Sequence, residues 1–138
     1  MQNLYMSNPQ DAYRRQNILT ASPIDLIIML YDGLHKDIQL ASRAIGKNNM
    51  DAAHKYLIKA QDIVAELINC LDLSFSMASD LMSLYEFILR TLGEANAAKD
   101  ATTLEAILEI VETLRETWKE VGELDKASPR EMPQEGLG

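Results

Sequence analysis

Apolar side chains recur along this chain at alternating three- and four-residue steps through four long stretches, the spacing that keeps one helix face turned inward. The first stretch opens on Thr20-Ala21-Ser22-Pro23. Ser22 can place its hydroxyl on the unpaired amides of a first helical turn, Pro23 has no amide proton to leave unpaired, and Asp25 complements the positive helix end. Helix one is therefore predicted from about Pro23 to Ile45, with Ile27, Leu30, Tyr31, Leu34, Ile38, Ala41 and Ile45 inward, and with Gly46 and Lys47-Asn48-Asn49 as its stop. From Ile24 to Tyr31 the run is nearly all apolar, more than one stripe requires, so this helix needs neighbours on more than one side.

Helix two follows, capped by Asn48 or Asn49, with Ala53, Tyr56, Leu57, Ala60, Ile63, Val64, Leu67 and Leu71 on one face. The segment Asp72 to Ser76 is short and rich in capping groups. Helix three then starts near Met77 and runs to about Ala98 on a stripe of Leu81, Leu84, Tyr85, Ile88, Leu92 and Ala95. Asp100 caps helix four, which turns Leu104, Ile107, Leu108, Val111, Leu114, Trp118 and Val121 inward and Glu105, Glu109, Glu112 and Glu116 outward, and which Gly122 is expected to end. Helices of roughly twenty residues joined by short connections pack beside their sequence neighbours, so the expected fold is all-α, an antiparallel up-and-down four-helix bundle. Residues 1–19 read as an N-terminal arm, with Leu4, Tyr5, Met6, Tyr13 and Ile18 in no sustained period. The bundle then covers 20–121, and 122–138, with two prolines and mixed charges, is expected to be a flexible, disordered tail.

Composition agrees with one helical domain of 138 residues: 47% hydrophobic residues give a core, while 6% aromatics and four prolines argue against a turn-rich sheet protein. The net charge of -8 and the scattered basic residues disfavour nucleic acid and anionic membrane as partners. A lone cysteine, Cys70, rules out an internal disulfide and reads as a small buried hydrophobe. The first residues lack the pattern of a secretory signal and no apolar run approaches a membrane span, which makes a cytoplasmic protein the expectation.

Helical bundles can hold di-metal sites built on Glu-x-x-His motifs, and two approximate matches occur, Asp32-Gly33-Leu34-His35 and Asp51-Ala52-Ala53-His54. Taking Ile27 as zero, a turn of 100° per residue places His35 at about 80° and Asp32 at about 140° from the stripe. The second pair lies further out still. Both pairs are therefore expected to face water, and no metal site is predicted. Phosphate-binding glycine loops, nucleophile elbows and zinc spacings do not occur. The chain reads as a binding protein with no catalytic residues and no cofactor.

Several apolar residues stand away from the stripe centres. Met82 and Leu89 flank helix three a heptad apart, beside Ala78, Gly93 and Asn96, and Ile28, Met29, Ile58 and Ile110 are similarly displaced on the other helices. Part of this surplus belongs to a broad core. Together the residues suggest a second apolar surface able to hold an amphipathic segment.

With these segments placed, the chain resembles the flagellin export chaperone family (FliS) over about Asn8 to Val121. The resemblance rests on Ala12-Tyr13, Gln16-Asn17-Ile18, Thr20-Ala21-Ser22-Pro23, Leu26 and Met29-Leu30-Tyr31-Asp32-Gly33. It continues through Lys59-Ala60-Gln61-Asp62-Ile63, Glu66-Leu67, Leu84-Tyr85, the series Leu92, Glu94-Ala95-Asn96 and Asp100, and Arg115 with Trp118-Lys119. Gln10 and Glu86-Phe87 depart from the usual family pattern, which has an aromatic residue and an Asp-Tyr pair there.

The resemblance implies a chaperone that binds the disordered C-terminal region of flagellin, prevents premature polymerisation and supports its delivery to the flagellar type III export apparatus. It implies partner binding by Tyr13 in an arm that covers part of the client surface when empty. Client-contacting residues expected on this reading are Tyr13, Ile18, Ile28, Ile58, Met82, Leu89, Asn96 and Ile110, with export-gate or regulatory proteins as further partners. Oligomeric state is left open between a monomer and a weak homodimer. The alternative is a self-associating or regulatory helical bundle without a flagellin client.

Overall fold

A computed structural model describes residues 23–74 and 76–127, without the side chains of 125–127. The described residues form four helices, α1 (Pro23–Gly46), α2 (Met50–Asn69), α3 (Ala78–Ala98) and α4 (Ala101–Ala127). Cross-helix pairs give the directions. Ile24 and Ile28 lie beside Gly122, Asp32 faces Arg115 and His35 meets Glu112, so α1 ascends as α4 descends. His54 pairs with Asn96, and Gln61 sits over Gly93, so α2 and α3 are likewise antiparallel. Each helix packs on its sequence neighbour and α1 closes against α4; α3 and α4 approach each other least closely. The all-α, antiparallel four-helix arrangement is the one the stripes predict.

The centre holds Tyr31, Leu34 and Ile38 of α1, Leu57 and Val64 of α2, Ile88 and Leu92 of α3, and Leu104, Ile107 and Val111 of α4, all essentially inaccessible. Burying each such side chain stabilises the fold by about 1.5–3 kcal/mol before entropy is counted. Ala41, Ala53, Ala60 and Ala95 are equally buried, which lets the helices approach closely. Across the middle, the hydroxyls of Tyr31 and Tyr85 meet at 2.6 Å and tie α1 to α3.

Capping follows the sequence in part. The Asn49 side chain accepts from the Ala52 amide at 3.2 Å, and Asp100 accepts from the amides of Thr102 and Thr103 and from the Thr103 hydroxyl. These bonds hold the Asp100 carboxyl below the usual carboxylate range. The left-handed residue that stops α1 is not Gly46, where the helix ends, but Asn48 of the same expected cluster. Asn48 takes the left-handed conformation (φ 60), with its amide on the Ile45 carbonyl and that of Asn49 on the Ala44 carbonyl, while Gly46 keeps an ordinary helical turn and has open space where a Cβ would stand.

Nor does Gly122 end α4, which continues to Ala127. A methyl group at Gly122 would lie 3.3 Å from Ile24 Cγ2 and 3.5 Å from Ile28 Cδ1, so this glycine is where the first helix leans on the last. Residues 128–138, the rest of the expected tail, lie outside the described residues, as does the arm.

Two further expectations are corrected. His35 does not face water: it is 9% exposed, and its Nε2 lies 2.8 Å from Glu112 Oε2 on α4. A position about 80° off one stripe is inside the fold when the helix serves two neighbours, as the surplus apolar residues of α1 require. Cys70, expected to be buried, is exposed. It follows the last turn of α2, where its amide closes on the Glu66 and Leu67 carbonyls.

Candidate functional site

The residues singled out from sequence do not share one surface. Tyr13 and Ile18 lie outside the described residues. Ile58 is exposed on α2, at 42%. Ile28 is half-buried against the α1–α4 contact, Leu89 and Ile110 are half-buried against the core, and Met82 is half-buried on α3. Asn96 is buried: its Nδ2 lies 3.0 Å from His54 Nδ1, and its carbonyl oxygens accept from Lys99 Nζ at 2.6 and 2.9 Å. Gly93 also turns toward α2, with Gln61 over it, and Ala78 is buried.

What the four helices do bring together is a cleft at one end of the bundle, about 380 Å³ in volume. Pro23 and Ile27 line it from the start of α1, Leu67, Cys70, Leu71 and Asp72 from the end of α2 and beyond, Leu81 and Tyr85 from α3, and Trp118 and Val121 from α4. Every lining side chain except Cys70, Asp72 and the polar tips of Tyr85 and Trp118 is wholly apolar. Four of the seven most exposed large apolar side chains among the described residues, Leu73, Met77, Val121 and Leu124, belong to this same end. Apolar surface collected around a concavity in this way marks a binding site more reliably than scattered exposed residues.

Sequence reasoning assigned Ile27, Leu67, Leu71, Leu81, Tyr85, Trp118 and Val121 to the core, since each sits on an inward stripe. Leu67 and Tyr85 are buried in the core as assigned, and Ile27, Leu71, Leu81 and Trp118 pack against it while also lining the cleft; only Val121 is exposed.

Electrostatics at the cleft favour an uncharged occupant. Burial pushes the phenols of Tyr31 and Tyr85 above their ordinary range, so both stay protonated; their shared hydrogen bond opposes ionisation of Tyr31 and eases that of Tyr85. At the rim, the Asp72 carboxyl is held below the usual range by the hydroxyl and amide of Ser74, and is ionised at neutral pH. Partial burial, with Glu66 nearby, raises the Cys70 thiol, which disfavours the nucleophilic thiolate. Among the described residues no lysine or arginine lines the space.

A second hollow, of about 470 Å³, lies between α1 and α2 beside Met29, Asp32, Lys36, Asp37, Tyr56 and Lys59. Its walls carry charges of both signs, which makes it a solvated groove. Along the α1–α4 contact, Arg115 Nη1 lies 3.6 Å from Asp32 Oδ1, next to the His35–Glu112 pair, so the acid and histidine of the first approximate metal motif are both directed to α4. Among the described residues no three histidine, cysteine or acidic side chains are placed to hold one ion. No helix there is long and apolar enough to cross a membrane.

Comparison with known proteins adds a relationship to this geometry. The family model for FliS, described as flagellar protein FliS, matches residues 6–125. The chain is 34% identical over 115 residues to the flagellar secretion chaperone FliS of Bacillus subtilis, covering 83% of this chain and 86% of that protein. It is 28% identical over 107 residues to the protein of the same name in Salmonella typhimurium (75% and 79% of the two chains). For that of Vibrio cholerae the identity is 25% over 122 residues, covering 84% of this chain and 90% of the other.

Proposed function

Since the chain belongs to the FliS family of flagellar secretion chaperones, we propose that it binds the disordered C-terminal region of flagellin in the cytoplasm. Bound there, the segment is kept from polymerising and is delivered to the flagellar type III export apparatus. The observation that carries this reading is the apolar end of the bundle: a cleft lined by all four helices, at the end where Leu73, Met77 and Leu124 are exposed, on a small protein with net charge -8. A site of this kind suits an amphipathic segment that folds as it binds.

Size sets how the client is held. Coupled folding and binding typically buries about 1,000–3,000 Å², more than a cleft of about 380 Å³ can provide. The cleft therefore takes the apolar side chains of one or two helical turns, and the remainder of the client lies along the bundle. Exposed Ile58 and half-buried Met82 offer places for that remainder. Tyr13 and Ile18 of the arm serve the same surface on this reading, and export-gate or regulatory proteins meet the loaded complex.

The test is to mix the full chain with a flagellin C-terminal peptide and follow peptide helicity together with complex mass. A 1:1 complex with induced helix at micromolar concentration is expected. Val121→Glu, at a position already 39% exposed, should weaken binding at least tenfold without a large change in melting. A peptide that stays disordered and unbound refutes the proposal. A peptide-independent dimer dissolved by Val121→Glu would instead assign the apolar end to self-association.

A further inference from the structure

Three hydrogen-bond donors meet where the core adjoins the apolar cleft: the hydroxyls of Tyr31 and Tyr85 and the indole N–H of Trp118. Among the described residues the acceptors available to them are the two hydroxyl oxygens themselves, 2.6 Å apart. One contact between two hydroxyls holds one proton, so the proton of the other hydroxyl must point elsewhere. Trp118 does not relieve this, because an indole donates and cannot accept.

Burial decides which hydroxyl gives its proton to the pair. Tyr31 is fully buried and does not line the cleft; in its other hydrogen bond the Trp118 indole donates, so among the described residues its proton has no acceptor but Tyr85. If Tyr85 donated to it, the Tyr31 proton would be stranded in the core, one of the costlier defects a fold can carry. Tyr31 therefore donates to Tyr85. The Tyr85 proton is left without an acceptor among the described residues, on a side chain that faces the cleft.

We propose that the cleft recognises its occupant through one uncharged carbonyl oxygen that accepts the Tyr85 hydroxyl proton. It rests on reading the cleft as the client groove. That oxygen comes from a client segment which is apolar around it, as a side-chain amide or as one of the backbone carbonyls left unpaired at a helix end. A carboxylate is disfavoured. Asp72 already places a negative charge on the rim, and among the described residues no cation lines the wall. Tyr85 is in this sense a specificity-determining residue, whereas Tyr31 only supplies the buried proton that its oxygen accepts.

Two isosteric probes test the cleft without a client. Acetophenone and α-methylstyrene differ by a carbonyl in place of a methylene group, and their affinities for the full-length protein can be compared by NMR titration. The ratio of the two affinities should fall about fivefold in Tyr85→Phe relative to wild type. It should stay within twofold in Tyr31→Phe, which keeps the outward proton. The Tyr31→Phe/Tyr85→Phe double variant strands no hydroxyl and guards against a folding defect; it should match Tyr85→Phe in this ratio. Equal ratios in all four proteins, binding of neither probe, or an equal loss in Tyr31→Phe overturns the proposal.

A flagellin C-terminal peptide forms the second arm, with about fivefold weaker binding to the double variant expected. If the peptide fails to bind wild type while the probes show the carbonyl preference, the client reading fails and the cleft chemistry stands. If the peptide binds wild type and double variant alike, the proposal fails and the client reading stands. Self-association abolished by the double substitution would place the carbonyl on a second copy and overturn its assignment to a client.

Discussion

The turn between α1 and α2 contains a glycine and an asparagine two residues apart, and exchanging each for alanine separates their roles. Gly46 is helical, without positive φ, and a Cβ there meets nothing within 4 Å. Gly46→Ala should therefore stabilise the protein by about 0.5 kcal/mol, by reducing the freedom of the unfolded chain. Asn48 is left-handed at φ 60, and the bonds from the Asn48 and Asn49 amides to Ile45 and Ala44 depend on it. Alanine pays about 1 kcal/mol in that conformation, so Asn48→Ala should be destabilising by that amount, while Asn48→Gly should stay close to wild type.

Urea denaturation resolves the difference. With a slope near 1.5 kcal/mol per molar, the midpoint rises by roughly 0.3 M for Gly46→Ala and falls by roughly 0.7 M for Asn48→Ala. A lower midpoint for Gly46→Ala, or equal midpoints for the two alanine variants, would refute the assignment of the stop to Asn48. A glycine-stop reading of the same sequence expects the opposite order.

Two further outcomes follow from the core. Tyr31 and Tyr85 have phenols raised by burial, and an unfolded chain ionises tyrosine near 10. Their contribution to stability is fully present below about pH 10 and lost as pH rises above it, because the unfolded state then releases protons that the folded state retains. Absorbance titration should show these two tyrosines ionising only together with loss of helicity; ionisation near pH 10 in the intact fold would refute their burial. Removing the polar link between α2 and α3 by Asn96→Ala should cost about 1 kcal/mol. A double-mutant cycle with His54→Ala should give a coupling of about 0.5 kcal/mol or more, and zero coupling would show that the 3.0 Å contact contributes nothing.

Helix count, direction and most of the core were legible because the stripes are regular. Tyr31, Leu34 and Ile38, Leu57 and Val64, and Ile88 and Leu92 all lie where the three-four spacing places them. Errors arose where one helix meets two partners or where partners run out. His35 is off the principal stripe of α1 but inside the second contact, with α4. Gly122 carries the residue type of a helix stop, yet serves a close crossing inside α4 that only the position of α1 reveals. Val121 continues an inward stripe beyond its neighbours and is exposed, and periodicity alone cannot tell a packed position from an empty one. Cys70 was misplaced because α2 ends at Asn69, so the stripe angle no longer applies to it.

The walls of the cleft are drawn from Pro23 at one extreme and Val121 at the other. A chain still being synthesised, lacking the last turns of α4, has neither the Trp118 side of the cleft nor the Gly122 seat that holds the start of α1. Contacts so far apart in sequence close slowly and late. The cleft is thereby tied to completion of α4: a truncated product, even one that keeps three helices, lacks one of its walls.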